Sequence, residues 1–80
     1  MKKRVYGASM LAIFRNKFIN NHSKFIHGSP LKAEDLDKEF KHEGKTLVLV
    51  GMNDNEEFIA FEPKTNFHWD ISMKTPLNIK

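Results

Sequence analysis

The spacing of the apolar residues changes once along this chain, and that change restricts the possible architecture more than any other feature. Between Ser9 and Phe25 the apolar residues recur at helical intervals. Leu11, Phe14, Phe18 and Phe25 fall on one side, Ile19 and Ile26 on its flank, and Lys17, Asn20 and Lys24 roughly opposite. Beyond Gly44 the pattern is that of strands. "TLVLVGM" is short, β-branched and apolar on both parities, as a strand covered on both faces is. "EEFIAFEP" reads as a second strand closed by Pro63. "NFHWDIS" alternates Phe67, Trp69 and Ile71 with His68, Asp70 and Ser72, which predicts one buried and one wet face. The linkers "NDNE" and "PKTN" are short and rich in turn formers, so consecutive strands are expected to pair as antiparallel hairpins. The pattern predicts an α+β fold: a helix over residues 9–27 packed on a three- or four-stranded antiparallel meander, with closure toward a barrel as one outcome.

Local signals set the expected boundaries. Residues 1–8 form a basic arm, and Gly7 or Ser9 begins the helix. Gly28 and Pro30 end it, with Asn20 and Asn21 as an earlier stopping point. Ser29 and Pro30 open a short helical turn over residues 29–41 that buries Leu31, Leu36 and Phe40. The strands occupy 44–73, with "EFKHEG" available as an added edge strand, and the tail 74–80 offers Leu77 and Ile79 to the core. A chain of 80 residues is one domain. Such a domain hides only roughly 60% of its unfolded surface. The seven Phe, one Tyr and one Trp suit that economy.

Charge is sorted by region. Residues 1–28 contain Lys2, Lys3, Arg4, Arg15, Lys17 and Lys24 and no acid, whereas the remainder carries seven Lys against all ten acids of the chain. Such sorting creates a local positive field toward polyanions or acidic protein surfaces. The opening "MKKRVYGASMLAIF" has the positive start of a secretory signal. Gly7 and Ser9 interrupt its apolar run, however, and Arg15 and Lys17 follow directly. No stretch approaches the roughly 20 apolar residues that span a bilayer. The absence of cysteine excludes disulfides and thiolate metal sites and fits a cytoplasmic location.

Specific chemistries find little support. His22 and His27 are five residues apart, off a shared helical face, and His42 and His68 have no adjacent ligand, so no metal site is expected. "NDNEE" at 53–57 lacks the glycine and the bidentate glutamate of a calcium loop and reads as a solvated turn. Gly44-Lys45-Thr46 lacks the earlier glycine of a phosphate loop. No carboxylate pair or nucleophile stands in a recognisable context. No cofactor is expected, and no enzymatic activity.

The segment "LKAEDLDKEFKHEGKTLVLVGMN" resembles a pattern found in a loosely defined group of small phage-encoded proteins of unassigned function. The residues that carry the resemblance are Leu31, Glu34, Asp35, Leu36, Lys38, Phe40, Gly44, Lys45, Thr46, Val50, Gly51 and Asn53. The resemblance implies a small β-rich, barrel-like module of phage origin, and no chemistry. Two departures stand out: Leu47 occupies an aromatic position, and Asp54, Asn55, Glu56 and Glu57 follow where the group is basic.

The expected function is that of a binding module engaging a host or phage protein. The alternative is DNA or RNA binding. Either partner would use the basic surface of Lys2, Lys3, Arg4, Arg15, Lys17 and Lys24, with Trp69, Phe58 or Tyr6 as anchors where exposed. A membrane partner is not expected, because the apolar side of the helix is needed by the sheet. Exposed strand edges allow pairing with a second copy of the chain.

Overall fold

A helix of 14 residues is about 21 Å long, and in this fold it rests chiefly on the longest strand of a five-stranded sheet. The computed structural model describes residues 1–21, 31, 33–75, 77 and 79. Its elements are strand β1 (Lys2–Arg4), helix α1 (Ala8–Asn21), a single 3-10 turn (Ala33–Asp35), and strands β2 (Glu39–His42), β3 (Lys45–Met52), β4 (Glu57–Glu62) and β5 (Phe67–Ser72). The strands form one open antiparallel sheet in the order β1-β5-β4-β3-β2. β1 lies at one edge, α1 carries the chain across, and the meander β2 to β5 returns until β5 pairs with β1.

The α+β class and the helix-on-sheet packing agree with the sequence pattern, and the differences have local causes. The sheet has five strands because both flanking segments join it. The basic arm is a strand whose Lys2, Lys3 and Arg4 stand opposite Asp70, Trp69 and His68. "EFKH" pairs with the start of β3. The helical turn expected over 29–41 is reduced, in its described part, to the one 3-10 turn. Asp37 follows with φ of 68° and donates its N–H to the Leu49 carbonyl at 2.8 Å, which pulls the chain into register for β2 and makes Phe40 a strand residue. α1 starts where Gly7 accepts the N–H of Leu11 at 3.1 Å. The expected continuation to residue 27, with Lys24, Phe25 and Ile26, lies outside the described residues.

The turns follow their sequences. Glu43 and Gly44 both have positive φ and form the two-residue hairpin loop that matches strand twist. At the β3–β4 tip the Asn53 side chain accepts N–H groups from Asn55 and Glu57 and donates to the Glu57 carboxylate. This is how an asparagine substitutes for backbone partners in a tight turn.

Residues that face each other across strands share a side of the sheet, so the register sorts the core. One face gathers Phe40, Leu47, Leu49, Phe58, Ala60, Ile71 and Met73, covered by Leu31, Leu36 and Leu77, with Phe18 of α1 joining them. Ile79 bridges to Phe40, as the tail reading anticipated. The other face holds Ile59, His68 and Asp70 beneath α1. β4, at the centre of the sheet, contributes the fully buried pair Ile59 and Ala60. The strand covered most evenly on both faces is therefore β4, whereas β3 alternates between buried Leu47 and Leu49 and half-buried neighbours.

Helix and sheet meet at Gly51. A register shift between Leu49 and Gly51 accommodates one extra residue and turns Gly51 toward α1. A Cβ added there would lie 2.4 Å from the backbone carbon and oxygen of Phe14. Main chain packs on main chain, and no side-chain rotation relieves the overlap. Gly51→Ala is expected to cost about 3 kcal/mol in urea denaturation, because the whole helix must lift. Gly7→Ala, where nothing lies within 4 Å, should change stability by no more than about 1 kcal/mol.

Candidate functional site

The cations expected to face a partner are largely engaged within the molecule. Arg15 meets Asp37 in a two-point contact, Nη1 to Oδ1 and Nη2 to Oδ2, both at 3.0 Å. The hydrogen bond to Asp37 raises the guanidinium pKa further. Lys17 Nζ lies 2.8 Å from Asp54 Oδ1, so the acidic hairpin tip is the counter-charge of the helix. Arg4 Nε donates to Asp70 at 3.4 Å. Lys3 Nζ lies 4.5 Å from the centroid of the Phe67 ring. Lys2 is exposed on β1, and Lys24 lies outside the described residues. The structure thus places Lys2, Lys3 and Arg4 on the edge strand β1 and Arg15 and Lys17 on α1.

β5 organises two constellations, one on each face. Beneath the helix, Asp70 is only 3% exposed. Its carboxylate accepts the Tyr6 hydroxyl, 2.9 and 3.1 Å to its two oxygens, and the more distant Arg4. Tyr6 stacks edge-on against Phe14 and His68, and its N–H points to His68 Nδ1 at 3.5 Å. Burial, helped by Asp70, pushes the Tyr6 hydroxyl up to about 12. Burial lowers the His68 pKa against the opposing pull of Asp70. A tyrosine held in its neutral form and a histidine held neutral with Nδ1 as acceptor form a closed network that fastens β1 and the start of α1 to β5. The raised phenol pKa disfavours a tyrosinate nucleophile, and the Nδ1 lone pair of His68 faces the Tyr6 N–H.

The expected pattern of β5 is corrected in part. Ile71 is buried and Ser72 exposed as the alternation predicts, but His68 and Asp70, read as the wet side, are buried as well, and Phe67 and Trp69 on the inner side are only half-buried. The polar side chains find partners among Tyr6, Arg4 and the helix. The aromatic side has a small residue as its neighbour instead. Trp69 stands opposite Ala60, which leaves room for the indole to lie across β4 and donate Nε1–H to Glu62 Oε1 at 3.0 Å. Thr65 also donates to that oxygen, at 2.8 Å. These two hydrogen bonds, the indole's first, hold Glu62 below its usual carboxylate range. Lys45 Nζ sits 5.0 Å above the indole. A cleft of about 430 Å³ opens beside this corner, lined among others by Glu39, Lys41, Lys45, Thr46, Glu62 and Lys64.

Of the proposed anchors, Phe58 is buried, Tyr6 is held by Asp70, and Trp69 is half-buried against the core. The sequence reading missed Asp70 and Glu62 as organising acids. The one available signal was that each directly follows an aromatic residue, Phe61 before Glu62 and Trp69 before Asp70. Among the described residues no group of three or more histidines or acids is arranged to hold a metal, and no helix is long and apolar enough to cross a membrane. Comparison with family models, curated proteins and solved structures gives no significant match to this chain.

Two pH effects follow from the buried network. The chain's one tyrosine should ionise with a midpoint of about 12 while folded and near 10 when unfolded, read by tyrosinate absorbance with and without denaturant. Its stabilising contribution is present below 10 and is lost as pH rises through the folded value. For His68 the sign is reversed. The unfolded imidazole takes up a proton near 6.5 and the folded one only at lower pH, so stability is lost as pH falls below that point. Between about pH 7 and about pH 5, His68→Asn should lose less stability than the unaltered chain in urea denaturation.

Proposed function

We propose that the protein is a non-enzymatic binding module, phage-encoded as the resemblance of residues 31–53 implies, that docks on a host or phage protein through the outer side of α1. The observation that carries this reading is the uncharged, partly apolar character of that surface. Phe14 and Phe18 are consumed by the sheet, and Arg15 and Lys17 stand on opposite flanks with their charges matched by Asp37 and Asp54. Between the flanks lie Ser9, Asn16 and Asn20 with Met10, Ile13 and Ile19, the last three 43%, 46% and 42% exposed.

A phosphate-binding helix presents unpaired cations to solvent. This helix presents flexible and branched apolar side chains, which suit an apolar groove on another protein. The Tyr6–His68–Asp70 network and the hydrogen-bonded Glu62 support the non-enzymatic part of the reading, because the polar atoms of these groups are engaged with one another and with neighbouring residues.

The test compares capture of a partner from bacterial lysate, followed by affinity measurement with the identified protein, across surface variants. Met10→Lys with Ile13→Lys is expected to weaken binding by about 30-fold or more, in the range of interface anchors. Lys2→Ser with Lys3→Ser should leave it within about threefold, as rim charges do. Loss of binding only in the second variant would overturn the reading in favour of the basic arm. Both pairs are exposed, so stability should move by no more than about 0.5 kcal/mol per site.

A further inference from the structure

We propose that the Phe67–Trp69 corner of the sheet is a stacking site for single-stranded nucleic acid. This goes beyond the helix-borne protein contact and does not depend on it, since the two surfaces share no residue. The two aromatics occupy one side of β5, two residues and therefore roughly 7 Å apart along the strand, and both are half-buried, with Trp69 packed against the main core.

The indole is held in place. Its N–H is committed to Glu62 and it packs against the main core beside Ala60, so what it can offer a ligand is the ring face over which Lys45 lies and not its polar edge. Each ring already attracts a cation: Lys3 at 4.5 Å over Phe67 and Lys45 at 5.0 Å over Trp69. An ammonium over a ring is a mobile occupant on a four-carbon stem. A planar base can take its position on the ring while the ammonium moves outward to the phosphate that accompanies the base.

Charge around the corner favours the same class of ligand. Lys41 and Lys64 line the adjoining cleft with Lys45, and of the two acids there Glu62 is committed to the indole and to Thr65. A single strand supplies both complements together, bases for the rings and phosphates for the lysines, and sequence-tolerant binding of this kind relies on that combination. A duplex keeps its base faces stacked on one another and offers none to the rings. An acidic peptide offers charge without planar groups. The aromatic pair therefore distinguishes a single strand from either competitor.

Trp69 is the only tryptophan in the chain, which makes the site its own reporter. The full-length protein is titrated with short oligothymidylate and oligouridylate, following indole fluorescence and the anisotropy of the labelled strand, at low and high salt. Both arms test the stacking chemistry, and their ratio shows whether DNA or RNA is preferred. The expected result is quenching at low salt that is reversed by added salt, with binding weakened about tenfold by Phe67→Ala or Trp69→Ala. Lys3→Gln and Lys45→Gln should each weaken binding and flatten its salt dependence by about one phosphate contact. Trp69→Phe, which keeps a ring on Ala60, should bind within about threefold of the original chain, and circular dichroism confirms that each variant is folded. Equal affinity for blunt duplex, equal quenching by polyglutamate, or unchanged binding by folded Phe67→Ala would each overturn the proposal.

Discussion

The contact between the Phe14 backbone and Gly51 is the constraint on which the remaining structure depends. It sets how near α1 approaches the sheet, and that distance decides what else can be covered. With the helix resting on the main chain of β3, Phe14 and Phe18 are both withdrawn from solvent. Tyr6, just ahead of the helix, comes down onto β5 to reach Asp70. The extra residue in β3 is part of the same arrangement, because it is the register shift that turns a glycine toward the helix. A small domain has little apolar area to bury, and a close approach extracts more of it from a 14-residue helix than side-chain contact alone.

The regional sorting of charge has an internal use. The basic first third and the acidic remainder are joined by Arg4–Asp70, Arg15–Asp37 and Lys17–Asp54, three bonds that secure β1 and both flanks of α1 to the sheet. Exposed pairs such as the last two contribute little stability individually. Their value is in orientation: a helix held at both flanks has its rotation settled, which leaves Met10, Ile13 and Ile19 turned outward. A segregation of charge that suggests an external polyanion when read along the chain is, in three dimensions, largely a match between one element and its neighbours.

Much of the architecture was legible beforehand. Periodicity located the helix and the strands, the turns at "NDNE" and "PKTN" were recognisable from their residues, and the tail's Leu77 and Ile79 do reach the core. The candidate sites were far less legible, and β5 shows why. Alternation reveals that a strand has two different faces, but polarity indicates which is wet only where polar side chains lack buried partners. Asp70 acquires Tyr6, 64 residues away in sequence, and Arg4. Trp69 is half-buried beside the core, with Ala60 as its small cross-strand neighbour. Both are pairings between separate segments.

Composition and spacing by themselves determined that this chain makes one helix and a set of antiparallel hairpins, because hydrophobic period, turn residues and glycine placement act within a few neighbouring residues. Tertiary structure alone decided that the basic arm is an edge strand, that the acids of β5 and the hairpin tip answer the cations of the first third, and that His68 and Asp70 are buried while Phe67 and Trp69 stay half-buried. Those outcomes depend on which distant residues are brought into register, and register is settled by the packing of the whole sheet against α1 and not by any local run of residues.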